Sequence, residues 1–100
     1  MARVELADEV LVDLDRIVDH LVSHDVANVS ERIAQLLNGL EVLGHSPLIG
    51  RPAGAAGLRE LVIGQGARGY VALYRHVADI DTAFVLAIRA QRESGYRRST

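Results

Sequence analysis

Residues 58–90 read LRELVIGQGARGYVALYRHVADIDTAFVLAIRA, and their pattern decides the fold. Three runs, Leu58–Ile63, Tyr70–Val77 and Thr82–Ala90, are rich in Val, Ile, Leu and aromatic residues, the side chains that suit a pleated, half-buried surface. The breaks between them, Gly64-Gln65-Gly66-Ala67 and Ala78-Asp79-Ile80-Asp81, have the length of hairpin loops, so the runs predict an antiparallel meander. Every position from Ala83 to Ile88 is apolar, as a central strand buried on both faces requires.

Before the meander, residues 44–57 (GHSPLIGRPAGAAG) hold four of the nine glycines and both prolines, and read as a connecting loop. Upstream of it the period turns helical. Val10, Leu14, Ile17 and Leu21 step by 4, 3 and 4 between Ala7 and Ser23, with Asp13, Asp15 and Asp19 off the stripe. A second stripe runs through Val26, Val29, Ile33, Leu36, Leu40 and Leu43, with Asp25 as its expected N-cap and Gly44 as its expected C′ glycine. The few residues between the stripes predict an antiparallel helical hairpin. At the start, Arg3-Val4-Glu5-Leu6 alternates like a short edge strand. The expected fold is α+β: one domain over residues 1–100, in which an N-terminal helical hairpin packs on one face of a small antiparallel β-sheet and leaves the other available.

Composition narrows the function. Hydrophobic residues are 49% of the chain and charged residues 24%, which is the balance of a globule and not of a disordered polypeptide. No apolar run approaches the roughly 20 residues a membrane span needs, and no basic stretch with an apolar core stands at the N-terminus, so neither membrane nor secretion is expected. Without cysteine there is no thiolate chemistry, which favours the cytoplasm. All 11 basic side chains are arginine, which removes any mechanism built on a lysine amine. Residues 1–50 carry three Arg against nine acids, residues 51–100 eight Arg against four. A positive half made of arginine suits phosphates or a carboxylate-rich partner, because the guanidinium fork binds both bidentately; a merely solvated face is the structural alternative.

Four segments from residue 46 onward, SPLIGRP, LRELVIG, GYVALYR and AIRAQRESGY, resemble the RelE/ParE family of toxin–antitoxin toxins, also known as plasmid stabilisation proteins, and the order of elements matches as well. The resemblance implies one of two activities. RelE-like members cut messenger RNA in the ribosome; ParE-like members inhibit DNA gyrase with no known hydrolytic site. Both are neutralised by a small cognate antitoxin in a hetero-oligomer, and no cofactor is implied.

Cleavage through a ribose 2′-hydroxyl needs a proton acceptor, a proton donor and positive charge for the phosphorane. The candidates are Arg68, Arg75, His76, Arg89, Arg92, Glu93 and Tyr96. RelE-like enzymes commonly carry Gly-Tyr-Arg on the third strand, where the arginine stabilises phosphate; here the triplet is Gly69-Tyr70-Val71, and valine supplies no charge. The ParE-like reading is therefore the expectation. A ribosome-dependent endonuclease is its rival, and a non-toxic module that only binds an antitoxin is a third reading.

For contact with target or antitoxin the candidates are Arg59, Arg68, Arg75, Arg89, Arg92 and Tyr96, with the guanidinium groups expected along one side of the sheet and aimed outward. Each has a structural alternative. Arg59 could pair with a helical acid, Arg92 with Glu93, and Tyr96 could anchor the tail, while Arg97 and Arg98 read as a solvated end. Tyr70 and Tyr74 share parity and are expected to fill one sheet face. His20 and His24 are spaced for one helical face, but no third ligand is evident and no metal site is expected.

Overall fold

A computed structural model describes residues 1–65, 68–93 and 95–96. The elements run β1 (Arg3–Leu6), α1 (Asp8–Ser23), α2 (Val29–His45), β2 (Arg51–Pro52), β3 (Leu58–Ile63), β4 (Tyr70–Val77) and β5 (Thr82–Ala90), with a 3₁₀ turn at Ala78–Ile80. The fold is α+β as expected, and β3, β4 and β5 have the expected bounds. Strand order is β1-β5-β4-β3-β2. The sheet is mixed and not wholly antiparallel, because β1 lies parallel to β5, Val4 facing Ala83 and Leu6 facing Val85. The two helices lie between β1 and the rest of the sheet in sequence, which supplies the long crossover a parallel pair requires.

Helical side chains meet the sheet in one core. Val10, Ile17 and Leu21 of α1 and Leu36, Leu40 and Leu43 of α2 pack with Ala72, Tyr74, Ala83, Val85 and Ile88. Tyr74 is wholly buried and Tyr70 packs against the same cluster, as their shared parity predicts.

Two helix ends depart from the sequence reading. Asp25 does not cap α2. It has φ of 54° and is the left-handed residue that closes α1, with its own N–H on the Val22 carbonyl and the Val26 N–H on the Leu21 carbonyl. This is the hydrogen-bond pattern of a Schellman end, with Asp in the place glycine usually takes. The left-handed residue preceding α2 is Asn28. Gly44, in turn, lies inside α2, which continues to His45. A Cβ there would meet the Ala2 carbonyl oxygen at 3.2 Å, and the Ala2 N–H donates to the Gly44 carbonyl at 2.8 Å. Close approach of the first strand, not a left-handed turn, explains that glycine.

The register of β4 and β5 shifts between Leu73 and Tyr74: Leu73 faces Ala87 and Tyr74 faces Val85, which leaves Leu86 extra in β5. One extra residue inverts side-chain alternation. Before it Ala83 and Val85 enter the core, and after it Ile88 does. Unbroken alternation would send Arg89 the way of Ala83 and Val85, into the helices. The bulge puts it on the opposite side, across from Val71.

Beyond Val85 the outer edge of β5 has no strand beside it among the described residues, since β1 ends at Leu6 and the Ala7 N–H bonds to the Val85 carbonyl. Side chains take over. The Ile88 N–H donates to Asp13 Oδ2 at 2.9 Å, Arg16 Nη2 donates to the Ile88 carbonyl at 3.3 Å, and the Ala90 N–H donates to Glu93 Oε1 at 3.0 Å. Arg16 Nη1 joins the two ends of this row at Glu93 Oε1, 2.7 Å away. Asp13, expected off the buried stripe, is 2% exposed for this reason.

Toward the opposite edge of the sheet, the Gly50 N–H donates to the Tyr74 hydroxyl at 2.8 Å. A Cβ on Gly50 would lie 2.6 Å from the Glu60 carbonyl oxygen, so only glycine brings the loop this close. Tyr74→Phe leaves the Gly50 N–H buried without an acceptor and is expected to cost about 1–3 kcal/mol. Thermal unfolding checks it, with Tm falling roughly 4–8 °C for each kcal/mol in a chain of this size; an unchanged Tm would contradict the assignment.

Candidate functional site

Pairing registers define the sheet face turned away from the helices. Leu61, Tyr74 and Ile88 belong to the helix-side core, so Glu60, Val62, Val71, Arg75 and Arg89 lie on the opposite side. Glu60 is the centre of a cluster there. Its Oε2 accepts from the Tyr96 hydroxyl at 2.6 Å and stands 4.0 Å from Arg89 Nη2, while its Oε1 is 3.3 Å from Arg51. The Arg89 guanidinium carbon lies 5.2 Å from the centre of the Tyr96 ring, a cation–π distance.

Arg89 does more than stack. Its Nη1 donates to the carbonyls of Ala90, Gln91 and Glu93 at 3.3, 3.2 and 3.0 Å and so folds the turn after β5 onto the strand's end. Its Nε is buried with no hydrogen-bond partner among the described residues. Tyr96 is held protonated: burial first, then the hydrogen bond to Glu60 and its charge, push the phenol well above its ordinary pKa, and the Arg89 charge opposes this only in part. A phenol in that state donates a hydrogen bond and cannot serve as a base near neutral pH.

The other candidates do not converge on this cluster. Arg59 sits on the helix side of β3 and donates to the carbonyls of Gly50, at 2.7 Å, and Leu48, at 3.2 Å; its partners are loop carbonyls and not a helical acid. Arg75 is exposed, with one long contact to the Ala56 carbonyl at 3.4 Å. His76 pairs with Asp81 at 3.0 Å at the far end of β4. Arg68, Arg92 and Glu93 line a cleft beside α1. Arg92 and Glu93 are not each other's partners: Arg92 Nη2 is 3.2 Å from His20 Nε2, and Glu93 holds Arg16.

The expectation of guanidinium groups gathered outward along one side is therefore overturned. The bulge in β5 sends Arg89 to the face opposite Arg59, and loop or turn carbonyls that need donors turn both inward. Arg97 and Arg98 lie outside the described residues. Among the described residues no group of three or more His, Asp or Glu is placed to hold a metal.

Glu60, Asp13 and Arg16 were missed from sequence. Glu60 had a signal: it is one of only four acids in the arginine-rich half, and it alternates with Leu61 on a strand. Asp13 and Arg16 had none, because their partner is a backbone edge that exists only after β1 has ended.

The Tyr96 shift has a consequence at high pH. Its folded-state pKa lies above the unfolded value of 10.0, so the stabilisation is complete below pH about 10 and is lost as pH rises from there toward the folded value. Denaturant titrations of the wild type and Tyr96→Phe are expected to differ most at neutral pH and to converge above pH about 10. A difference that stays constant across that range would contradict the assignment.

Comparison with known proteins gives these features a family. No relative among the curated proteins matches the sequence. Fourteen chains of solved structures match. One, from the chromosomal ParDE TA system of P. aeruginosa, superposes with a TM-score of 0.73 at 20% identity over 90% of this chain and 96% of that one, a likeness of fold. A family model described as the ParE toxin of the type II toxin–antitoxin system parDE matches residues 4–95. With all five strands and both helices inside that span or overlapping it, the chain belongs to the ParE toxin family.

Proposed function

We propose that this ParE-family toxin acts inside the cell by binding DNA gyrase, without hydrolysing RNA, and that a cognate antitoxin holds it inactive in a hetero-oligomer. One observation carries the choice between binding and hydrolysis: the proton-transfer candidates Tyr96 and Glu93, and Arg89 beside them, are already engaged in holding the chain's own structure. The Tyr96 hydroxyl donates its hydrogen bond to Glu60, Glu93 is taken by Arg16 and the Ala90 N–H, and Arg89 Nη1 is spread over three carbonyls. Phosphoryl chemistry needs preorganised charge converging on one phosphate. Here Arg89 and Tyr96 stand on the face turned away from the helices while Arg68 and Arg92 line the cleft beside α1, and β4 offers Val71 where RelE-like enzymes carry arginine.

The antitoxin reading draws on the open face and the charge of the second half. Val62 is 40% exposed there, Arg75 is exposed on the same face further along the sheet, across from Leu58, and an acidic segment that folds on binding would complement both.

Induction of the chain without an antitoxin tests the proposal, with transcript integrity and plasmid supercoiling scored in the same cells. Arrested growth with gyrase-dependent DNA damage and intact transcripts is the expected result. Cleaved transcripts would make the chain a nuclease, and unimpaired growth with normal supercoiling would leave a module that only binds its antitoxin; either would overturn the gyrase assignment.

A further inference from the structure

A cleft of about 600 Å³ opens between the C-terminal end of α1, the start of α2 and the ends of β4 and β5. Arg16, Arg32, Arg68 and Arg92 line it together with His20, and Glu93 is the only carboxylate among its lining residues. That carboxylate is already 2.7 Å from Arg16. Arg32 and Arg68 have no ion pair or hydrogen bond among the described residues, and the contact of Arg92 is the His20 ring, which brings no negative charge. Since an arginine only donates, His20 Nε2 is the acceptor in that contact. Three guanidinium groups thus line one concavity without an ion pair among the described residues, an arrangement suited to an anionic ligand.

The floor is apolar where the rim is cationic. Ile17, Leu21, Val26 and Tyr70 form it. A second concavity of about 760 Å³ adjoins, sharing Val26, Arg32, Arg68 and Tyr70 and adding the amides of Asn28, Gln35 and Gln65 and one carboxylate, Glu31, which makes no ion pair with either arginine. Small-molecule sites typically fall in the range of about 300–1,000 Å³, with an apolar lining and a few directed polar groups. From this geometry we infer a binding site for a small phosphate-bearing ligand of nucleotide size, its di- or triphosphate on Arg32, Arg68 and Arg92 and its ring system against Tyr70 and the apolar floor. The inference does not rest on the gyrase proposal, because the cleft and its charge stand whichever target the toxin has.

Titration of the full chain with ATP, with inorganic pyrophosphate and with adenosine, followed by NMR at the His20 ring and the Gly69 and Tyr70 amides, tests it. ATP and pyrophosphate are expected to shift these signals at submillimolar concentration, and adenosine is not. Arg32→Gln combined with Arg68→Gln removes two side chains that hold nothing in the fold, so Tm is expected to stay unchanged while the affinity for ATP falls about tenfold or more. Tighter binding of ATP than of pyrophosphate supports the nucleoside body, and equal affinities overturn that part. No shift at millimolar concentration, shifts that map elsewhere, or an affinity unchanged in the double variant would overturn the site.

Discussion

The outer edge of β5 runs past the end of its neighbouring strand, and the carboxylate of Asp13 occupies the place where a further strand would accept the Ile88 N–H. A buried amide without an acceptor is expensive, so this position has to be solved before the sheet can end where it does. Helix α1 solves it with a charge, and the charge must in turn be balanced. Arg16 stands one turn along, 3.7 Å from Asp13, reaches the Ile88 carbonyl, and continues to Glu93, which caps the Ala90 N–H. A chain of charges thus stands in for a missing strand. It also joins α1 to the turn after β5.

That joint sets the shape of both surfaces. The turn after β5 is clamped from one side by Arg16 through Glu93 and from the other by Arg89 through its carbonyls. The bulge at Leu86 is what allows the second clamp, since it rotates Arg89 off the helix side. Tyr96 is then laid over Arg89 within reach of Glu60, and Arg92 is carried round to His20 at the mouth of the cleft. Groups that look, as a set of residue types, like an RNA-cleaving site are distributed by this architecture into donors and acceptors for the chain's own backbone. That distribution is the ground on which we propose binding over hydrolysis.

Much of the fold was legible in the amino-acid sequence because periodicity carries it: the strands at 58–63, 70–77 and 82–90, the edge strand at 3–6 and the two helical stripes all come from apolar spacing. The bulge was illegible for the same reason that β5 was easy to find. With every residue from Ala83 to Ile88 apolar, alternation gives no hint of where an extra residue sits, and the face of Arg89 depends on it. Asp25 shows a different limit. Asp serves both as an N-cap and as a left-handed closing residue, and the bond from the Val26 N–H back to the Leu21 carbonyl decides between them only in three dimensions. The site was legible as residue types but not as an arrangement. Whether an arginine faces a partner or a carbonyl is set by which backbone groups the finished fold leaves unbonded, as Arg59 and Arg89 both illustrate.

Amide hydrogen exchange at Ile88, read against Ala7 as an internal reference, tests the edge-capping role of Asp13 most directly, because Ala7 bonds to the same strand at the end of β1. In Asp13→Ala, the Ile88 amide is expected to lose protection by about tenfold or more beyond any change at Ala7, the loss that corresponds to one buried hydrogen bond. Equal changes at the two amides, or no change at Ile88, would mean that the edge of β5 is held by something other than this carboxylate.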